Sequence, residues 1–355
     1  MNTLLYTIAI VSILPLSLLS QERKTYRVNT VAFYNLENLF DFRDDPFTYD
    51  DDRTPEGRDR WTEALYQAKL ANMASVISEI GTALSGTSPA VIGVCEIEHR
   101  GVLEDLLNQP ALVGSNYGII HYDSPDRRGI DVALLYLKGV FYPIHHSRHP
   151  LYIYDHKKPG KRLYTRDQLL VSGLLDGDPI HIIVNHWPSR SGGEARSRYK
   201  RIAAAKLNRR IIDSILSENP YAKIITMGDL NDDPSSPSIK KILGAKRNRG
   251  NVRIKQLYNP MEQLYKEGYG TLAWRDGWNL FDQLIISQEL LKQDYSSYRF
   301  YKAGIYNKSY LLTPNGRYKG YPFRSFTDGQ FTGGYSDHFP VYLYLIRELE
   351  RAPKF

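Results

Sequence analysis

The feature that most constrains this chain is a series of short apolar runs, rich in β-branched and aromatic residues, that recurs along its length. Turn-forming residues bound most of these runs, which is typical of buried β-strands. The predicted strands are Val28–Tyr34, Ala90–Cys95, Val132–Tyr136, Gln168–Leu174, Ile180–Asn185, Lys223–Met227, Leu280–Ile286 and Pro340–Ile346.

Two longer stretches carry apolar residues at helical spacing and predict helices over Glu63–Leu84 and Glu194–Leu216. No internal repeat, heptad pattern or Ser/Gly-rich linker divides the sequence. The order of elements therefore predicts one α/β domain, built mainly of strands in two sheets with helices outside.

The first 20 residues contain no charged side chain, and their apolar run from Leu4 to Leu19 is short for a membrane span. Small residues close this stretch at Ser17 and Ser20. The pattern predicts a signal peptide at residues 1–20 and a single mature domain at residues 21–355, exported to the periplasm or the medium. We expect no stable membrane insertion after cleavage. The alternative is an uncleaved N-terminal anchor.

The chain has a single cysteine, Cys95, which excludes an internal disulfide and a Cys-based zinc site. Its net charge of +7 is unevenly distributed. Residues 41–59 hold eight acidic residues against three Arg and predict a solvated loop, with a Ca²⁺ site as the alternative. Residues 187–210 hold eight basic residues against Glu194, and residues 235–260 hold seven and no acidic one, which permits an anionic partner.

Polar side chains flank several predicted strands at the points where the strands begin or end. Folds of the α/β class gather functional side chains at strand ends. Carboxylates and Asn suit a hard divalent ion such as Mg²⁺ or Mn²⁺, and His suits proton transfer or phosphate contact. The set therefore predicts metal-assisted phosphoester hydrolysis. Its members are Asn35, Glu37, Glu96, Asn185, His186, Asp229, Asn231, Asp337 and His338.

Seven short motifs occur in a characteristic order: YNLEN (34–38), GVCEIE (93–98), GIDVALLY (129–136), NHWPSR (185–190), GDLND (228–232), WNLFDQLIIS (278–287) and YSDHFPV (335–341). With them the chain resembles the endonuclease/exonuclease/phosphatase superfamily over residues 28–346. The resemblance implies a DNase I-like fold, a four-layer α/β sandwich of two mainly antiparallel β-sheets flanked by helices.

The resemblance also implies a metal site. Glu96 matches the metal-binding Glu of the superfamily. Asn35 and Glu37 match the polar pair beside the same metal, and Asp337 matches another residue of that site. The implied cofactor is Mg²⁺ or Mn²⁺.

Five further positions match catalytic residues of the superfamily. Asp229 and Asn231 match the pair that orients and deprotonates the attacking water. His338 matches the His that contacts the scissile phosphate, and Asp282 matches the carboxylate paired with it. His186 stands where DNase I-like members have a second catalytic His. The sequence leaves open which His does which task.

Three arginines are candidate substrate ligands. Arg128 occupies the stretch where repair nucleases carry a Tyr, and it is a hypothetical phosphate ligand. Arg190 and Arg196 follow His186 closely in the chain, so we expect them to reach phosphates flanking the scissile bond.

The sequence thus predicts an exported, metal-dependent nuclease or phosphodiesterase, acting as a monomer on a phosphodiester substrate, with nucleic acid as the favoured one. An exported phosphatase or a sphingomyelinase-like lipid phosphodiesterase of the same fold is the alternative, because substrate choice lies in loops. A binding protein on a degenerate enzyme scaffold is the third hypothesis.

Overall fold

The computed structural model describes residues 24–349, so the predicted signal peptide at residues 1–20 lies outside the described residues. Among residues 24–349, no helix combines the length and the apolar character needed to cross a bilayer.

The described residues form strands that are numbered here in chain order. They are β1 (Tyr26–Leu39), β2 (Val91–Ile97), β3 (Tyr117–His121), β4 (Asp131–Leu137), β5 (Phe141–His149), β6 (Ile153–Tyr154), β7 (Arg162–Leu163), β8 (Gln168–Leu175), β9 (Asp178–His186), β10 (Ile224–Asp229), β11 (Ala245–Lys246), β12 (Leu257–Tyr258), β13 (Leu272–Trp274), β14 (Gly277–Asn279), β15 (Asp282–Ser287), β16 (Arg299–Ile305), β17 (Phe326–Thr327), β18 (Gln330–Phe331) and β19 (Val341–Glu348).

The α-helices are α1 (Glu63–Glu79), α2 (Thr82–Ser85), α3 (Arg100–Leu107), α4 (Glu194–Glu218) and α5 (Met261–Lys266). A π-helical turn spans Ser238–Leu243, and short 3₁₀ turns occur at Asp51–Arg53, Val113–Ser115, Arg249–Asn251, Gln288–Leu291 and Ser309–Leu311.

Two large sheets dominate the fold. The first has six strands in the order β16-β19-β1-β2-β4-β3, and the second has seven in the order β11-β12-β15-β10-β9-β8-β5. The neighbours β1 and β2 are parallel, as are β9 and β10, and β11 and β12. The other neighbouring strands within the two sheets are antiparallel.

Alternation along the central strands places the sheets face to face. In β1, Val31 and Phe33 pack into the core between the sheets, whereas Ala32 and Tyr34 join the core beneath α1 and α3. Ile183 of β9 packs on the far side of the second sheet, under α4. A strand buried on both faces reads as a continuous apolar run, as these do. The structure therefore has four layers and confirms the predicted fold class.

The predicted helix over Glu63–Leu84 is wrong at its C-terminal end. The helix stops at Glu79, and Gly81 adopts a left-handed φ of 78° before α2 begins. A Cβ on Gly81 would lie 2.3 Å from the Thr30 hydroxyl oxygen, so both the backbone angle and the space require glycine. The periodicity of the apolar residues continues through this break and conceals it.

Gly93, in the middle of β2, sets how closely the two sheets approach. A Cβ there would lie 2.8 Å from the Met227 sulfur and 3.1 Å from Val184 Cγ1, both in the second sheet. Overpacking at such a contact costs about 1–3 kcal/mol. We therefore expect Gly93→Ala to lower the free energy of unfolding by that amount, measured by urea denaturation.

Gly139 is the matched control, because an added Cβ there meets nothing within 4 Å. Gly139→Ala should change the free energy of unfolding by no more than about 0.5 kcal/mol. Equal effects of the two substitutions would contradict the assigned sheet contact.

Candidate active site

The carboxyl ends of two parallel strand pairs, β1 with β2 and β9 with β10, meet at one edge of the sandwich. Strand register places Asp229 opposite both His186 and Asp282. Nine of the predicted residues form one network, in which each lies within 4.0 Å of another member. They are Asn35, Glu37, Glu96, His186, Asp229, Asn231, Asp282, Asp337 and His338.

His338 and Asp282 join the two sheets. His338 precedes β19 of the first sheet, and its Nδ1 lies 2.7 Å from Oδ2 of Asp282, the first residue of β15 in the second. Burial alone would lower the pKa of His338, but the charge and hydrogen bond of Asp282, with Asp229 and Asp337 behind it, raise that pKa well above its usual value. The ring is therefore an imidazolium whose Nε2 can donate to another group.

Asp229 lies at the centre of the network. Its Oδ1 accepts a hydrogen bond of 2.9 Å from the Asn231 backbone N–H, and its Oδ2 accepts one of 3.3 Å from the Asn35 amide. Burial raises the pKa of Asp229 to about 7, against the opposing effect of His338. Such a carboxylate can take up a proton near neutral pH.

Glu96, His186 and Asp229 offer ligand atoms that all lie within 4.8 Å of one another. The His186 Nε2 is 3.7 Å from Glu96 Oε1 and 3.6 Å from Asp229 Oδ2, and its buried Nδ1 lacks a hydrogen-bond partner among the described residues. Glu96 Oε2 accepts from the Asn38 backbone N–H, which leaves Oε1 facing the cluster. These oxygen and nitrogen donors fit a hard divalent cation.

The two histidines differ in their surroundings. Burial, followed by the nearby guanidinium groups of Arg166 and Arg128, lowers the pKa of His186 well below its usual value. The carboxylates of Glu96 and Asp229 lie beyond hydrogen-bond distance of its ring. His186 is therefore neutral where His338 is charged.

Glu37 and Asp337 lie at the other end of the network, held by residues that the sequence did not single out. The Glu37 carboxylate accepts from the backbone N–H and hydroxyl of Ser325, at 2.6 and 2.8 Å. Arg324 lies 3.4 Å from Glu37 Oε1 and donates to Asp337 Oδ2 at 2.8 Å. Buried Lys69 donates to the Glu37 carbonyl and to Ser325 Oγ.

Of these residues, only Lys69 carries a sequence signal. It stands on the apolar face of α1, four residues before Met73, where a buried lysine requires polar partners. Arg324 and Ser325 lie between β16 and β17, in a stretch that has neither periodicity nor one of the seven motifs. Nothing in their sequence context distinguishes them from surface loop residues.

Left-handed backbone angles recur at the site. Glu37, Asn38, Glu96 and Asn231 have φ values of 47°, 53°, 58° and 49°. Residues other than glycine adopt this region at an energetic cost, and such residues cluster at functional sites. In β1 and β2 these bends coincide with shifts of the strand register, between Asn35 and Leu39 and between Cys95 and Ile97.

The three predicted substrate arginines differ in their contacts. Arg190 donates to Asp233 at 3.1 Å and to the Asn231 carbonyl at 3.0 Å. These hydrogen bonds stabilise the loop after β10. Arg128 is half exposed, 3.4 Å from Asp126, and lines a cleft beside His186. Arg196 is exposed in the first turn of α4. Their contact with substrate stays a prediction.

A second group that could hold a metal involves the acidic segment. It consists of Asp41, Glu98 and His99, whose ligand atoms lie within 4.8 Å of one another. The His99 Nδ1 accepts from the Gly101 backbone N–H, so its Nε2, 3.5 Å from Asp41 Oδ2, carries the proton of the neutral ring. This geometry describes a hydrogen-bonded N-cap of α3. A Ca²⁺ ion in the acidic residues 41–59 stays a prediction.

The raised pKa of His338 depends on the charge of Asp282. We expect Asp282→Asn to lower the pKa of His338, because burial is then opposed only by the charges of Asp229 and Asp337. An NMR titration of the His338 ring measures this value. Asp337→Asn, 4.0 Å from Nε2, should lower it by less. A wild-type His338 that titrates at or below 6.5 would contradict the assigned pair.

Three solved structures illustrate the similarity of this fold to known proteins. An endonuclease/exonuclease/phosphatase family protein from Bacteroides thetaiotaomicron has 17% identity and a TM-score of 0.54, covering 94% of this chain and 100% of that chain. A D. rerio TDP2 humanized by 14 mutations has 14% identity and a TM-score of 0.53, with coverages of 90% and 98%. The human Nocturnin catalytic domain with bound sulfate has 16% identity and a TM-score of 0.52, with coverages of 92% and 98%. At these identities the similarity shows the fold.

No curated protein matches the chain significantly. The model of the Endonuclease/Exonuclease/phosphatase family matches residues 30–347. Its members are in general phosphoesterases and nucleases that use divalent metals. Since the match spans both sheets and the whole residue network at their shared edge, the chain belongs to the endonuclease/exonuclease/phosphatase family.

Proposed function

We propose that this protein is an exported, divalent-metal-dependent hydrolase of phosphodiester bonds that acts on nucleic acid. The observation that carries the proposal is the meeting of a charged His338–Asp282 pair with Asp229 and Glu96 at one sheet edge. This arrangement unites a hydrogen-bond donor for a phosphoryl oxygen, a proton acceptor and a carboxylate for a cation.

The cofactor proposed is Mg²⁺ or Mn²⁺. Glu96 would hold it through Oε1, with Asn35 close by and with Glu37 and Asp337 at the far end of the network. A divalent ion bound there supplies neutralisation of phosphate charge and polarisation of the P–O bond. The oxygen-rich set of side chains favours these hard ions over softer metals.

The proposed base is Asp229. Its pKa of about 7 is close to the value that makes a carboxylate effective in accepting a proton from an attacking water at neutral pH. The hydrogen bonds from Asn231 and Asn35 fix the orientation of the carboxylate. The base therefore needs little rearrangement before the reaction.

His338 is the proposed donor to the phosphate. Asp282 fixes the imidazolium by its Nδ1, so that Nε2–H is available to a phosphoryl oxygen on which negative charge develops. His186 is neutral and buried, which suits a hydrogen-bond partner better than an acid. The structure thus favours His338 for charge stabilisation, a division that the sequence left open.

The remaining parts of the proposal rest on the sequence. Export is supported by the uncharged, apolar residues 1–20. Nucleic acid as substrate is supported by the basic residues that follow His186, including Arg196.

A substrate panel tests the activity. We expect purified protein to degrade plasmid DNA or RNA at low salt in Mg²⁺ or Mn²⁺, with EDTA stopping the reaction and added salt slowing it. Agarose electrophoresis measures the loss of substrate. Intact DNA and RNA after incubation would refute the nuclease. Turnover of sphingomyelin or a phosphomonoester in their place would select the alternative substrate classes.

Substitutions test the assigned residues. We expect Asp229→Asn and His338→Ala each to lower kcat/KM by about 10²–10⁴, the usual contribution of a positioned acid or base. Asp328→Asn is the matched control, because Asp328 is exposed on the turn between β17 and β18. Full activity in both site variants would instead indicate that this residue network is not the catalytic machinery.

A further inference from the structure

A two-stranded hairpin, formed by β6 and β7, presents an aromatic face to solvent. Ile153 pairs with Leu163, and both pack inward towards α4. Strand alternation therefore turns Tyr152, Tyr154 and Tyr164 outward, where 59%, 52% and 48% of their surfaces are exposed. Three exposed tyrosines on one short hairpin form an aromatic surface of the kind that marks binding sites.

The hairpin is fixed in place. The Arg162 guanidinium lies 4.5 Å from the ring centre of Tyr152 and 4.8 Å from that of Tyr164. His156 in the connecting turn stacks on Tyr199 of α4, with ring centres 3.5 Å apart. The aromatic face is therefore a rigid platform, which limits the entropy lost when a ligand binds.

A cleft of about 340 Å³ separates this platform from the segment after His186. Its lining includes the aromatic ring of Tyr164, the hydroxyl group of Ser189 and the cationic side chains of Arg128, Arg166 and Lys200. Asp126 is the one carboxylate lining the cleft, and Arg166 Nη1 pairs with it at 2.9 Å. No described carboxylate pairs with Lys200. The cleft therefore carries a net positive charge.

One carbonyl connects the cleft to the active site. Arg166 is buried, and its Nη2 donates to the Trp187 carbonyl at 2.7 Å. The same carbonyl accepts from the Asn231 side chain at 2.9 Å. A ligand in the cleft thus lies directly beside the residues proposed to act on the scissile phosphate.

We propose that the cleft and the Tyr platform bind a single-stranded stretch of nucleic acid next to the scissile phosphate. Arg128 and Lys200 would contact backbone phosphates, and Tyr164 would stack on an unpaired base. Proteins that bind single strands without sequence preference combine cationic side chains, which contact the backbone, with aromatic rings, which stack on the bases. A duplex hides its base faces, so it gains only the phosphate contacts. This inference rests on the proposed function and narrows its substrate.

Binding is measured by fluorescence anisotropy of a labelled (dT)₁₂ strand and of a blunt duplex of equal length, in EDTA. EDTA stops turnover, and no predicted metal ligand lines the cleft. We expect wild-type protein to prefer the single strand. Tyr164→Ala should weaken that binding about fivefold or more, and Tyr164→Phe should restore it. Lys200→Gln should reduce the slope of log K against log salt by about 0.7.

Tyr301→Ala and Lys302→Gln are the matched controls. Both residues are exposed on β16, at the edge of the first sheet, and should leave (dT)₁₂ binding unchanged. Equal affinity for strand and duplex, unchanged binding by both cleft variants, or binding to anionic phosphatidylserine vesicles in place of DNA would overturn the inference.

Hydrolysis of bis(p-nitrophenyl) phosphate by wild-type protein separates this inference from the proposed function, because that small diester does not extend into the cleft. Turnover of the small diester without strand binding would overturn the inference alone. Tyr164-dependent strand binding without turnover of the small diester, of DNA or of RNA would overturn the proposed function and support the cleft as a binding site.

Discussion

The hydrogen bond between His338 and Asp282 is the interaction on which the rest of the site depends. It connects the residue that leads into β19 of the first sheet with the first residue of β15 in the second. The pair therefore fixes the two sheets relative to each other where their parallel strands end. It also places a positive charge beside Asp229. Without that charge, Asp229 would be a buried carboxylate next to the carboxylate of Asp282.

Charge balance explains the arrangement around this pair. Asp229 and Glu96 lie close together with a neutral His186 between them, so the described residues leave a deficit of positive charge there. At the opposite end, Arg324 pairs with both Glu37 and Asp337, and buried Lys69 supplies a second positive charge beside Glu37. A divalent cation would therefore be most strongly favoured at Glu96. The family resemblance assigns Glu96, Glu37 and Asp337 to one metal site. The difference in nearby positive charge separates Glu96 from the other two.

Much of this site could be predicted from sequence because its residues flank buried strands. Asp229 and His186 end such strands and Glu96 lies one residue before the end of another, so the apolar runs that locate the strands also locate these residues. Arg324 and Ser325 could not be predicted, because they approach Glu37 only through the long excursion before β19. The break at Gly81 was missed for a different reason, since the space left by Thr30 is a tertiary property.

The strand ends of the two sheets together form the site that we propose binds both a divalent cation and a phosphate group. Anomalous diffraction from crystals of the protein soaked in Mn²⁺ and phosphate tests it most directly. We expect a Mn²⁺ peak in contact with Glu96 and a phosphate oxygen within hydrogen-bond distance of His338 Nε2. A Mn²⁺ peak only at the Asp41, Glu98 and His99 group, with phosphate away from His338, would contradict it.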